Sequence, residues 1–196
     1  MTFPRQLPGY GPPTPVPIYQ WEREFETVLE LFRRLPNEEH PKTVLEVGTY
    51  HGGTLYHWLQ GSVAGDRIVA VDSYQTGIDN RHLYEEWTPK GVDLQIVVGD
   101  SRDPVVLEEV ALFAPYDWAF IDAGHYYGEV KADWENYGPM VSLGGTVVFH
   151  DILPPTRAHP EIEVAQLWEE IKKDHMTLEV VADRGAPWGG IGIVLL

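Results

Sequence analysis

Five short apolar runs constrain this chain more than any other feature: VLEV, IVAV, LQIVV, WAFI and TVVF, each followed within two residues by glycine, aspartate or histidine. Uninterrupted runs of four or five residues suit strands buried on both faces, as in a parallel sheet covered by helices. The spacing predicts strands near 43–48, 67–72, 94–98, 117–122 and 145–150. Two more follow near 177–182 and 190–195. Between them, helices are expected near 53–60, 80–88, 104–112, 126–138 and 161–174, so β and α alternate in a doubly wound α/β fold. The final pair of strands is joined by DRGAPWGG (183–190), too short for a crossover helix, and should form an antiparallel hairpin.

Ahead of the first strand, Trp21, Phe25, Val28, Leu29 and Phe32 repeat with a helical period, and Pro36 and Asn37 stop the helix. The first 17 residues hold six prolines, which exclude a helix or a central strand. Residues 1–19 therefore read as an extended arm, with Tyr10, Tyr19 and Trp21 suited to packing on the same domain or on a neighbouring copy. Residues 20–196 read as one domain, without internal repeats.

In an open α/β sheet, ligands bind beyond the carboxyl ends of the strands. The segment VLEVGTYHG (44–52) ends the first strand at Gly48 and opens a helix at Gly52, a turn in which bare backbone can meet a ligand. Asp72 lies 24 residues after Gly48, at the end of IVAVD, where an acid can grip a ribose diol. A dinucleotide fingerprint needs glycine two residues after the first, and Tyr50 stands there. Thr49, Tyr50 and His51 give the turn side chains instead of a bare phosphate cradle. A ribose-bearing cofactor without a diphosphate fits better, S-adenosylmethionine being the common one, and a nicotinamide oxidoreductase is disfavoured.

Composition narrows the partners. With 14 basic and 30 acidic side chains the formal charge is −16, a field that repels nucleic acid and anionic membranes. Absence of cysteine excludes disulfides, thiolate metal sites and a cysteine nucleophile. No apolar run reaches the roughly 18 residues of a membrane span and no signal-peptide core is seen, so a cytoplasmic protein is expected.

Five segments carry a resemblance: LEVGTYHGGT (45–54), VAVDSY (69–74), VVGDS (97–101), YDWAFIDAGHYY (116–127) and LGGTVVFHDI (143–152). From about residue 20 onward the chain resembles the class I S-adenosylmethionine-dependent methyltransferases, and its last two motifs resemble the metal-dependent O-methyltransferases of catechols and sugars. The resemblance implies a Rossmann-like, seven-stranded, mostly parallel sheet of order 3-2-1-4-5-7-6 with its last strand antiparallel. It also implies methyl transfer to a hydroxyl of a small molecule, a sugar or a phenol, helped by Mg²⁺ or Mn²⁺. A metal-independent O- or N-methyltransferase and a non-catalytic cofactor-binding module are the alternatives.

Under that resemblance each strand-end residue takes a role. Asp72 and the adjoining Ser73 hold the ribose, Asp100 and Ser101 lie beside the adenine, and Thr54 at the helix opened by Gly52 faces the methionyl carboxylate. Gly48, Thr49 and Tyr50 shape the turn, while Glu46 holds either the cofactor's amino group or only the turn. Asp122, His150 and Asp151 form the metal set, with Asp122 also against the cofactor. Relatives often carry an acid where this chain has His150, and strand alternation sends neighbours to opposite faces, so His150 either ligates or packs beneath the pocket. His125, three residues after Asp122, takes the role of general base. The loop ILPPTRAHP (152–160) is expected to act as a lid or acceptor-binding segment, with Arg157 and His159 as contacts and aromatics such as Tyr50, Tyr74, Trp87, Tyr126, Tyr127 and Trp188 near the mouth.

Overall fold

The computed structural model describes residues 14–35, 41–75 and 79–196. Seven strands form one sheet: β1 (Thr43–Val47), β2 (Arg67–Asp72), β3 (Asp93–Val98), β4 (Tyr116–Ile121), β5 (Val141–His150), β6 (Met176–Val180) and β7 (Ile191–Leu195). Their order is β3-β2-β1-β4-β5-β7-β6. The first five run parallel, and β7 lies antiparallel to both β5 and β6, as the short 183–190 connection requires.

Among the described residues six α-helices cover the sheet: α1 (Glu22–Arg33), α2 (Gly53–Gln60), α3 (Arg81–Trp87), α4 (Pro104–Ala111), α5 (Tyr127–Tyr137) and α6 (Val164–Asp174). The apolar runs are continuous because alternate side chains enter two separate cores. Val44, Ile68, Ala70, Trp118 and Phe120 face Phe25 and Phe32 of α1, Leu55 and Trp58 of α2 and Tyr84 of α3. Leu45, Val47, Val69, Ala119 and Ile121 face Val106 and Val110 of α4, Val130 of α5 and Trp168 of α6. Phe32 and Trp58 are fully buried with ring centres 4.9 Å apart, and cutting either back to alanine costs about 3–5 kcal/mol.

Most element ends fall within a residue or two of the sequence expectation, and three differences are larger or bear on the site. Strand β5 starts at Val141, where Val141 pairs with Tyr116 before the register slips to Trp118 and Thr146, so the glycines of the 142–145 stretch form an irregularity inside a strand, not a loop before it. Helix α6 starts at Val164; residues 161–163 belong to the preceding loop. The third concerns the arm. Most of its prolines, Tyr10 and the Pro36–Asn37 stop lie outside the described residues. Within them, the stretch from Thr14 to Gln20 packs on its own domain, with Val16, Ile18 and Gln20 buried.

Helix α1 also reaches the far edge of the sheet. Buried Glu24 accepts the Ala182 amide at 2.8 Å on one oxygen and the Gly190 amide at 2.9 Å on the other. The Trp21 indole donates to the Trp188 carbonyl at 3.1 Å, and the two indoles stack at 5.1 Å. Both ends of the β6–β7 connection are thereby fastened to the start of the domain.

Candidate active site

The turn after β1 has a left-handed Gly48 at φ 93°, where an added Cβ would lie 2.2 Å from the carbonyl oxygen of Asp122. Glycine here lets the ends of β1 and β4 come together; the Asp122 amide donates to the Val47 carbonyl at 2.8 Å. Gly52, at φ 86°, has a similar reason, since a Cβ would meet the Tyr84 ring at 2.7 Å. The expected use of both glycines to bare the backbone to a ligand is thus joined by a packing requirement of the protein itself.

Beyond the ends of β1 to β5 lies a cavity of about 740 Å³ whose wall includes Gly48, Tyr50, Asp72, Ser73, Asp100, Ser101 and Asp122. Asp72 accepts the Tyr50 amide on one carboxylate oxygen and the Tyr74 amide on the other, each at 2.6 Å. These two amides fix the carboxylate plane and leave further lone pairs for a diol. Asp100 is gripped by Arg102 through both oxygens, at 2.9 and 2.8 Å, and those bonds lower its pKa to about 2. Ser101 donates to Asp133 at 2.7 Å, and burial raises the Asp133 pKa to about 6 against the pull of that bond.

Four expected cofactor residues, Glu46, Thr49, Gly52 and Thr54, do not line the large cavity. Glu46 is fully buried under the turn and off the cavity wall. It accepts the Thr54 hydroxyl and, at 3.0 Å, the Trp58 indole, and burial raises its pKa to about 8 despite these donors. Thr54 therefore spends its hydroxyl on Glu46 and gives only a wall to a second, small cavity of about 50 Å³, which Thr49 also lines. Gly52 lines neither cavity.

At the other end of the large cavity four side chains converge. His125 Nε2 lies 3.1 Å from Asp151 Oδ2 and 3.5 Å from Asp122 Oδ1, and His150 Nδ1 lies 3.3 Å from Asp122 Oδ1 and 3.5 Å from Asp151 Oδ2. Strand alternation would have separated His150 from Asp151. The chain avoids this because Asp151 leaves the strand in a left-handed conformation, φ 63°, which swings its carboxylate back beside His150. The Gly189 amide then donates to Asp151 Oδ1 at 2.8 Å.

Charge inside the cluster is strongly biased. Burial opposes ionisation of Asp122 and Asp151, but the imidazoles of His150 and His125 outweigh it and hold both carboxyls below their ordinary range. Burial likewise opposes protonation of His125, yet hydrogen bonds and charge from Asp122 and Asp151 raise it to about 10, and His150 is raised well above its usual value by the same acids. Asp122, His125 and Asp151 each offer a ligand atom, all within 4.8 Å of one another. The 3.1–3.5 Å separations are close to the about 3 Å edge of an octahedron with bonds of about 2.1 Å. The donor set therefore fits a divalent cation, with His125 among the ligand atoms, a placement its sequence position did not suggest.

The wall also includes residues that motifs did not flag, among them Gln75, Arg102, Glu129, Asp133, Glu161 and Ile162, with Tyr19 of the arm and Gln20 behind Asp122. Of the expected mouth residues, His159, Tyr50 and Trp188 line the large cavity, whereas Arg157, Tyr74, Trp87, Tyr126 and Tyr127 do not. The 152–163 loop is held near His125, because the Glu163 amide donates to the His125 carbonyl and the Glu163 carboxylate accepts the Tyr127 amide. Asp133 had a signal: it shares an apolar helix face with Val130 and Tyr137. No sequence signal marks Gln20.

Residues 45–152 match a family of methyltransferase domains, and the chain belongs to that family, with the class I methyltransferase fold that its sheet order defines. In particular, it resembles the O-methyltransferase TomG from Streptomyces achromogenes in complex with S-adenosylmethionine: 16% identity, covering 87% of this chain and 79% of TomG, TM-score 0.62. MycE from the mycinamycin pathway, in complex with Mg and S-adenosylhomocysteine, is 20% identical over 87% of this chain and 48% of MycE, with a TM-score of 0.59. An O-methyltransferase from Bacillus cereus in complex with S-adenosylhomocysteine is 18% identical, covering 88% and 90% of the two chains, with a TM-score of 0.58. At these identities the likeness is one of fold. In sequence, the chain is 28% identical over 145 residues to the uncharacterized protein y4gI of Sinorhizobium fredii, of which it spans only 15%. Among the described residues no helix is long and apolar enough to cross a membrane.

Proposed function

We propose that the protein transfers a methyl group from S-adenosylmethionine to a hydroxyl of a small molecule, a sugar or a phenol, with a divalent cation held by Asp122, Asp151 and one or both of His125 and His150. The convergence of these four side chains at the end of a cavity that runs to Asp72 carries the reading. A cofactor that binds or supports a non-catalytic module needs no such cluster. The named activities of TomG and MycE, and the magnesium of MycE, favour the same reaction.

When bound, a divalent cation lowers the pKa of an acceptor hydroxyl and holds it for in-line attack. The protein's own groups supply the rest. Asp72 would hold the ribose and the turn at Gly48 to Tyr50 the neighbouring part of the cofactor, while Trp188 and Tyr19 in the wall would help keep water from the reacting groups. His125 Nε2 can either ligate the cation or take the hydroxyl proton, not both, so its service as base belongs to the arrangement in which Asp122, Asp151 and His150 hold the cation. The two acids raise the pKa of His125 to about 10, and a cation bound to them would relieve that pull.

Calorimetry with S-adenosylhomocysteine and with NAD, followed by methyl-transfer assays on catechol and glycoside panels with MgCl₂, MnCl₂ or EDTA, tests the reading. Binding of S-adenosylhomocysteine and an activity abolished by EDTA and restored by Mg²⁺ or Mn²⁺ are expected. NAD binding without S-adenosylhomocysteine binding would overturn the reading, and full activity in EDTA would remove the cation.

A further inference from the structure

The segment ahead of α1 enters the site through Gln20. Pro17 and Ile18 lie directly over the start of α2: a Cβ added at Gly53 would come within 2.6 Å of the Pro17 carbonyl oxygen and 2.8 Å of Ile18. Gln20, 1% exposed, follows them inward, and its Nε2 donates to Asp122 Oδ2 at 2.8 Å. The amide nitrogen faces Asp122, so the amide oxygen is left as a pure acceptor. That oxygen, Gln20 Oε1, is buried without a hydrogen-bond partner, and the buried Thr49 hydroxyl, which interacts with Glu46, keeps a lone pair with which to accept.

Both residues line the small cavity of about 50 Å³, together with Gly48, Thr54 and Asp122. Its volume admits only a few non-hydrogen groups. Its polar wall is rich in acceptors: an amide oxygen, a hydroxyl and a carboxylate. A buried acceptor left unmade costs stability, so the arrangement calls for a donor-rich, positively charged group. The cavity shares Tyr19, Gly48, Tyr50 and Asp122 with the large one, so a single molecule can occupy both.

We propose that Gln20 Oε1 accepts a hydrogen bond from the α-ammonium of the cofactor's amino-acid end, with the small cavity as the ammonium pocket. The proposal rests on the large cavity being the adenosyl site. Gln20 then acts in two directions. Its oxygen reads the ammonium, and its nitrogen holds Asp122 Oδ2, leaving Asp122 Oδ1 turned toward His125 and His150. Cofactor and cation sites become coupled through one amide, and such coupling is reciprocal.

A cycle in the full-length chain tests this. Calorimetry is run on wild type, Gln20→Leu and Gln20→Met with S-adenosylhomocysteine and with its desamino analogue, in which hydrogen replaces the amino group. In wild type the analogue should bind about tenfold or more weakly, the scale of a hydrogen bond to a charged group. In either variant S-adenosylhomocysteine should lose a similar factor while the analogue stays within about twofold, which also reports that the variant is folded. Equal losses for both ligands in the variants, or none for S-adenosylhomocysteine, would overturn the role of Gln20 alone. Failure of wild type to bind either ligand would overturn the adenosyl reading beneath it. Mn²⁺ titration supplies the second readout: S-adenosylhomocysteine should change Mn²⁺ affinity in wild type and not in Gln20→Leu.

Discussion

Two groups of buried acids sit at the ends of neighbouring strands and behave oppositely. Glu46 at the end of β1 is surrounded by neutral donors, Thr54 and Trp58, and burial drives its pKa up to about 8. Asp151, at the end of β5, is buried almost as deeply, and Asp122, at the end of β4, is partly exposed, but both face two imidazoles and stay below the ordinary carboxyl range. Neutral hydrogen bonds soften desolvation without reversing it; opposite charge reverses it. The first acid is built to hold a turn, the second pair to hold charge, and only the pair suits a cation.

The largest effect should come from breaking the charged pair. Asp122→Asn or Asp151→Asn should abolish Mn²⁺ binding in a metal titration and lower methyl transfer by at least about a hundredfold. Retained Mn²⁺ affinity would move the cation elsewhere. Next, His125→Ala should lower turnover by about a hundredfold while leaving S-adenosylhomocysteine affinity intact, and full activity would remove its role as base. Asp72→Ala should weaken S-adenosylhomocysteine by about tenfold or more in calorimetry, and unchanged affinity would count against the ribose contact.

The smallest effect sharpens the contrast from the side of Glu46. Its folded pKa is raised from 4.5 to about 8, so the folded chain binds more protons than the unfolded chain between these values. The stability owed to this group is complete below pH 4.5, falls as pH rises through the window and is gone above about 8. Glu46→Gln cannot ionise. Urea denaturation at pH 5 and at pH 8.5 should therefore show wild type losing more stability than the variant, by a difference on the order of a few kcal/mol. Equal losses would mean that Glu46 is charged in the folded protein.

The sheet could be read from sequence because each strand carries its own signal in a contiguous stretch. Continuous apolar runs reflect two covered faces, and DRGAPWGG reports a hairpin by length alone. Asp72 was visible in the same way. The charged cluster was only half visible. Asp122, His125, His150 and Asp151 could be named, but whether His150 shares a side with Asp151 depends on the left-handed backbone at Asp151, which no neighbouring glycine announces. Gln20 and Gly189 were hidden for a different reason: they reach Asp122 and Asp151 across 102 and 38 residues. Such partners are chosen by tertiary packing, and local propensity does not record them.

Glu24 grips Ala182 and Gly190 while Trp21 holds the Trp188 carbonyl, yet residues 183–185 between them are exposed. A hairpin tip whose two feet are bolted down can change its lettering without disturbing the frame. Exchange of a few residues in that tip should therefore leave the strands, and the corner where Asp122, His125, His150 and Asp151 meet, as they are.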